Sequence, residues 1–262
     1  MSPDEYERMY RLEDRHWWFA ARRTLLSSAL ERWRATLPTP TAAGPLRLLD
    51  VGCGTGATLA HLSGYGEAYG VDVEPRALAF CRTRGLRTNL ALASASALPF
   101  ADGTFQVAVA LDVLEHVGDD RAAAREIARV LAPGGLLFAS VPAYPSLWSG
   151  HDVALMHRRR YTRAAFESLL TGAGLSVEHR THTVSALLPP VYLLRHFQRL
   201  ARLAGSRPAR ADIYPTPPPL NALLRAELEW EGRVALRTPL PFGVSLFAVA
   251  RKKRDDAPGG SG

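Results

Sequence analysis

From Leu46 onward the chain alternates short apolar runs with stretches whose apolar residues recur every three or four positions. The runs 46–51, 67–72, 105–111, 135–141, 175–182 and 244–250 read as strands, with a weaker one at 86–92. The stretches 57–63, 75–84, 119–131 and 162–173 read as helices. This alternation predicts an α/β fold, a seven-stranded, mostly parallel sheet with helices on both faces. Ligands of such sheets bind beyond the carboxyl ends of the strands.

The pattern divides the chain into an N-terminal helical arm (1–37), a linker (38–45), an α/β core (46–183), an insertion (184–240), the last core strand (241–254) and a disordered tail (255–262). The arm reads as two helices over 3–36. Its cluster His16-Trp17-Trp18-Phe19 is too wide to bury on itself, so the arm either docks on the core or closes over a ligand. The insertion holds a helix at 191–204, a proline- and arginine-rich loop at 206–219 and a helix near 220–236. In the first helix Leu193, Leu194, Phe197, Leu200 and Ala204 share one face, with Arg195, Gln198, Arg199 and Arg202 opposite. A basic amphipathic helix suits a membrane interface. A helix capping the sheet or a dimer contact gives the same pattern.

Composition narrows the class. With 47% hydrophobic and 22% charged residues the chain is globular, and 262 residues suffice for a substantial core. Two cysteines, Cys53 and Cys81, give no disulfide framework, so a reducing cytoplasm is the expected setting. There is no apolar signal core and no run of about 18 apolar residues that would span a membrane. The net charge of +7 comes almost entirely from arginine and favours anionic substrates, membrane surfaces or nucleic acid.

The chemistry gathers at the first strand. Asp50-Val-Gly52-Cys53-Gly54-Thr-Gly56 ends a buried strand in a glycine turn that opens a helix, whose N-terminus points back at the turn. Asp72 closes the next strand, where a nucleotide fold places an acid on ribose hydroxyls. A dinucleotide fingerprint spaces its glycines differently, and Asp50 would repel a pyrophosphate. A ligand with a ribose and an ammonium group fits both acids. Cys53 sits among the glycines as a small residue that fits there.

The run Leu48 to Gly56 (LLDVGCGTG) resembles the first motif of class I S-adenosylmethionine-dependent methyltransferases. ALPFADGTF at 97–105 and LDVLEHV at 111–117 resemble their third and fourth motifs. LAPGGLL at 131–137 resembles the turn into their fifth strand. The likeness covers about residues 46–182. It implies the Rossmann-like fold of that family and S-adenosyl-L-methionine as cofactor. It also implies Asp50, Gly52, Cys53, Gly54 and Gly56 around the methionine part, Asp72 on the ribose, Val73 on the adenine face and Leu111 through its backbone. Family members usually carry an acid before the ALPF segment; here the position is Ser94, which leaves its hydroxyl or the Ala95 backbone for the adenine amino group. Arg22 or Arg23 matches an arginine that binds the cofactor carboxylate in ubiquinone-biosynthesis O-methyltransferases.

LDVLEHV is also similar to the E-x-x-E-H stretch of those ubiquinone enzymes, which is associated with a divalent cation. On that likeness one helical turn projects Asp112, Glu115 and His116 toward Mg²⁺; the plainer alternative is that Asp112 caps a helix and the others line a pocket. Residues 143–163 follow the fifth strand, where substrate loops fall. There His151 or His157 can serve as a base, with Asp152 and Tyr161 beside them; the plainer alternative pairs Asp152 with an arginine to order the loop. The arm, this loop and the ending PFGVSL (241–246) together are similar to a bacterial methyltransferase subgroup associated with polysaccharide and glycosyl-transfer enzymes. The expected reaction is methyl transfer to a hydroxyl of a small, lipid-linked or glycan-linked acceptor. The competing readings are nucleic-acid methylation, for which no module or motif is evident, and a non-catalytic membrane-associated protein that keeps the cofactor fold.

Overall fold

The most buried strand, β4 (Phe105–Leu111), hides all seven of its residues and lies at the centre of the sheet. The computed structural model describes residues 3–39, 44–203 and 214–254. In chain order its elements are α1 (Pro3–Leu12), α2 (Trp17–Trp33), β1 (Arg47–Val51), α3 (Ala57–Leu62), β2 (Glu67–Asp72), α4 (Pro75–Thr83), β3 (Leu90–Leu92) and β4. Then follow α5 (Asp120–Val130), β5 (Leu131–Pro142), α6 (Gly150–Ala154), α7 (Arg163–Gly172), β6 (Leu175–Thr183), α8 (Leu188–Leu203), α9 (Pro218–Arg237) and β7 (Ser245–Lys252).

The strand order is β3-β2-β1-β4-β5-β7-β6, with β7 antiparallel to both neighbours and the other pairings parallel. The seven strands read from the hydrophobic pattern are all present. The order reverses between β1 and β4, and that switch point opens a crevice at their carboxyl ends. Local signals set the helix starts. Pro75 opens α4, Asp119 Oδ1 accepts the Ala122 N–H at 2.9 Å before α5, and Thr162 Oγ1 accepts from Ala165 before α7.

The sheet buries two cores. On one face α5 and α7 pack Ala124, Ile127, Phe166 and Leu170 against Leu49, Ala108 and Leu137. On the other, Leu26 and Leu30 of α2 and Leu236 of α9 meet Leu48, Val107, Val109 and Phe138. The second helix of the arm and the second helix of the insertion are therefore core layers of the sheet. Leu26 is fully buried, and truncation to alanine there costs about 2–5 kcal/mol.

Two local readings are corrected. β5 begins at Leu131 rather than after Pro133-Gly134-Gly135, because a register shift against β4 between Phe105 and Val107 absorbs the turn residues as a bulge. In α8 the start of the amphipathic pattern is inverted. Tyr192, Leu193 and Leu194 are exposed, while Arg195 turns inward to donate to the Leu147 carbonyl at 2.5 Å. The side chains from 196 to 204, most of the 206–219 loop, residues 40–43 of the linker and the 255–262 tail lie outside the described residues. Among the described residues no helix is long and apolar enough to cross a membrane.

Candidate functional site

At the switch point the glycine turn is closed by backbone and acid together. Gly52 and Cys53 both donate to the Val71 carbonyl, at 2.7 and 3.0 Å. Gly54 donates to Asp72 Oδ2 and Glu74 to Asp72 Oδ1, each at 2.9 Å. Gly52 has φ +69°, and a Cβ there would stand 2.6 Å from Val113 Cγ2. Burial raises the Asp72 carboxyl, against the pull of its backbone donors. The Cys53 side chain points away from the turn into a small core with Cys81, at 3.9 Å between sulfurs.

Asp50 at the end of β1 is buried, and its Oδ2 has no partner among the described residues. Burial pushes its pKa up to about 8, with Arg22 nearby pulling the other way. Arg22 reaches in from α2 to pair with Asp112, while its buried Nε has no partner among the described residues. An orphaned acid, an unused guanidinium N–H and a glycine cradle suit a ligand bearing both an ammonium and a carboxylate. Asp72 retains lone pairs for hydroxyls beyond the two it gives to backbone. The residues present fit the cofactor that the sequence implies. Arg23, by contrast, donates to the carbonyls of Glu13 and Asp14 and holds the α1–α2 turn. Val73 is 71% exposed at the crevice edge. Ser94 Oγ already accepts the Ser96 N–H at 3.2 Å within its turn, beside Ala95. Leu111 is buried at the end of β4.

The arm crosses this crevice, a placement the sequence left open. Met9 Cε would lie 3.1 Å from a Cβ at Gly54. Tyr6 is buried near Asp72 and Glu74, where burial and their charges push its phenol up. Glu13 is buried between Thr55 and Arg84, and Arg84 also pairs with Asp14.

Residues 112–117 form a turn, not a helix, because Asp112 takes φ +57° and the bonds that follow run from His116 to Val113 and from Val117 to Leu114. Asp112 therefore does not join Glu115 and His116. Its oxygens accept from Arg22 and, at 2.8 Å, from Ser140 Oγ. Glu115 and His116 instead meet His157, with one potential ligand atom from each within 4.8 Å of the others. Beside Asp112 a pocket runs under α2 and α9, lined by Trp18, Arg22, Ser140, Val184, Glu231 and Phe247 among others. Glu231 shapes it by accepting the backbone N–H groups of Val184 and Ser185, at 2.5 and 2.6 Å. No sequence motif flagged Ser140 or Glu231; Ser140 is a lone polar residue in an apolar run, and Glu231 is one of several acids on α9.

In the loop after β5, Asp152 is fully buried. It accepts from Ser149 N (2.8 Å), His157 Nδ1 (3.0 Å) and Arg160 Nε (2.7 Å), with Arg195 Nη1 at 3.6 Å. Burial alone would raise its pKa, but these partners hold it below the usual carboxylate range. Its lone pairs are spent on ordering the loop. Tyr161 is buried and donates to Asp120 Oδ2 at 2.8 Å, away from the pocket lining. Burial lowers His151 to about 3 and His116 to about 4, so both imidazoles are neutral at physiological pH.

A family model described as a methyltransferase domain matches residues 49–139, which span β1 to β5. An uncharacterised methyltransferase of Mycolicibacterium gilvum is 36% identical over 141 residues, covering 50% of this chain and 54% of that protein. The O-methyltransferase rstn1 of Aspergillus nomiae is 30% identical over 158 residues, covering 50% of this chain and 70% of the relative. The chain spans about half the length of the mycobacterial relatives it matches. Among solved structures, an S-adenosylmethionine-dependent methyltransferase from Archaeoglobus fulgidus superposes with a TM-score of 0.53 at 18% identity, covering 88% of this chain and 94% of that one. At that identity the likeness shows the fold alone.

Proposed function

Because the chain belongs to the class I S-adenosylmethionine-dependent methyltransferases, we propose that it transfers a methyl group to a hydroxyl of a small or lipid- or glycan-linked acceptor held beneath α2 and α9. The bound cofactor supplies an electrophilic methyl on a sulfonium. The residues of this chain bind and align. Asp50 receives the ammonium, the free Nε of Arg22 lies within reach of the carboxylate, and Asp72 takes the ribose. Val73 lies along the adenine, with Ser94 or the Ala95 backbone at its amino group.

The observation that carries the acceptor reading is the pocket at the carboxyl ends of β4 and β5. It adjoins Asp112 and is mostly apolar, with a few polar groups such as Ser140. A pocket of this kind suits a small molecule or a single chain end rather than a duplex. Alignment supplies most of the rate, since holding two reactants in line is worth ~7–11 kcal/mol. The neutral, weakly basic His116 and His151 do not act as the base in this scheme. The O-methyltransferase relative favours an oxygen acceptor. Mg²⁺ is not part of it, because the donor set that converges here is rich in imidazole, which that ion disfavours.

The test pairs binding with transfer. Calorimetry with S-adenosylmethionine and S-adenosylhomocysteine should show micromolar binding that Asp72→Ala abolishes. Methyl-labelled cofactor with a cell extract should then label organic-extractable or low-mass material. Label in RNA or DNA would overturn the acceptor class, and absence of cofactor binding would overturn the whole reading.

A further inference from the structure

We propose that Glu115, His116 and His157 form a binding site for one divalent transition-metal ion, of the Zn²⁺, Co²⁺ or Fe²⁺ kind. The Asp112, Glu115, His116 trio expected for Mg²⁺ does not fit, since Arg22 and Ser140 occupy Asp112. The loop after β5 supplies the third donor instead.

Three independent observations converge on this site. Its ligand atoms lie within 4.8 Å of one another, a spread that small side-chain rotations close around an ion with ~2.0–2.2 Å bonds. Glu115 is fully buried, and neither of its carboxylate oxygens has a partner among the described residues. A buried carboxylate without donors is costly unless a cation faces it. Finally, an imidazole that ligates a metal is held by an acceptor on its other nitrogen, and the His157 ring has one. His157 presents Nδ1 to Asp152 Oδ1 at 3.0 Å, which leaves Nε2 to ligate. Asp152 is itself pinned by Arg160 and Ser149, so the orienting shell is rigid.

Two imidazoles and one carboxylate make a donor set for borderline transition metals rather than for hard, all-oxygen Mg²⁺. Three protein ligands leave the ion at least one open position for water or an oxygen-bearing molecule. The site stands apart from the acceptor reading, since metal binding needs neither methyl donor nor acceptor. Either can fail while the other holds.

The experiment uses the full chain after chelator treatment, titrated with Co²⁺ in the spectrophotometer and with Zn²⁺ in the calorimeter. The expected result is one equivalent of each ion, visible d–d bands that Zn²⁺ displaces, and a melting temperature raised by Zn²⁺. Asp112→Asn should keep the full equivalent. His157→Ala and Glu115→Gln should each lose more affinity than the ~10–100-fold typical of an outer-shell loss such as Asp152→Asn. Circular dichroism of the metal-free variants checks their fold, and His116→Gln replaces any variant that fails to fold. A wild-type protein with no saturable Co²⁺ spectrum overturns the site. So does binding that survives His157→Ala but not Asp112→Asn.

Discussion

The backbone N–H of Gly54 donates to Asp72 Oδ2 at 2.9 Å, tying the glycine turn to the end of the neighbouring strand. The acid we propose for the ribose thus also holds the glycine turn that we propose for the methionine part. Asp72→Ala removes this bond and the one from Glu74 N, leaving donors that cost about 1–3 kcal/mol each if they stay unpaired. We expect this variant to lose cofactor binding and also to unfold at lower denaturant. Urea titration beside calorimetry separates the two effects, and unchanged stability would show that the turn closes without Asp72.

Asp50 gives a pH signature. Its pKa is raised to about 8 by burial, so in the free protein it is largely protonated at pH 7. An ammonium needs the carboxylate, so cofactor binding at pH 7 should release close to one proton and tighten as pH rises toward 8. Calorimetry in buffers of different ionisation enthalpy measures that proton. The sign for stability is opposite. A carboxyl raised in the folded state loses its stabilising contribution as pH climbs from the unfolded value through the folded one. Asp50→Asn should therefore melt higher than wild type, by a margin that grows up to about pH 8, while binding is lost.

The turn itself is tested at Gly52. With φ +69° and Val113 Cγ2 at 2.6 Å from a would-be Cβ, Gly52→Ala meets both a backbone and a packing penalty. The backbone part alone is about 1–3 kcal/mol. We expect a lowered melting point and no measurable cofactor binding. Adding Val113→Ala should recover part of the stability, since it removes the clash and leaves the strained φ. No recovery would mean the backbone penalty dominates.

The elements of the sheet were legible in the sequence because the central strands β4 and β5 are nearly continuous apolar runs and helices α5 and α7 start at the caps Asp119 and Thr162. The β5 start was not, because the bulge arises from pairing with β4. The placement of Asp50 and Asp72 on two adjacent strands was legible from their spacing. Asp112 was misplaced for a physical reason: its partner Arg22 lies 90 positions upstream on a helix that packs only in the folded chain. His157 likewise meets Glu115 and His116 only through the loop that Asp152 orders. The face of α8 was inverted at Arg195 because the buried Asp152 attracts a cation that periodicity assigns to solvent.

Asp152 anchors that loop. Breaking a buried pair by removing one partner costs about 3–5 kcal/mol, so Asp152→Asn should lower stability by that order at pH 7. The carboxyl is held below its usual range, so its contribution is present above the ordinary carboxylate pKa and is lost as pH falls through the folded value. The gap between wild type and Asp152→Asn should hold down to about pH 4 and close only in stronger acid. Thermal melts across that range decide it; a gap that closes near neutrality would assign the loop's stability to the histidines.

The arm offers the last test. Met9 lies over Gly54 and Tyr6 near Asp72, so we expect the cofactor to enter when α1 lifts. What holds α1 down is local: Arg84 pairs with the buried Glu13 at 2.6 Å and with Asp14 at 2.9 Å. Arg84→Ala leaves Glu13 buried without its cation, and a short helix such as α1 relieves that by lifting rather than by unfolding the core. We therefore expect faster amide exchange confined to α1, little change in the global melting point, and faster cofactor dissociation with faster association. Exchange mass spectrometry with stopped-flow binding measures all three. If exchange in α1 stays as slow as in α2, the arm is a fixed wall of the core and the cofactor must enter by another side.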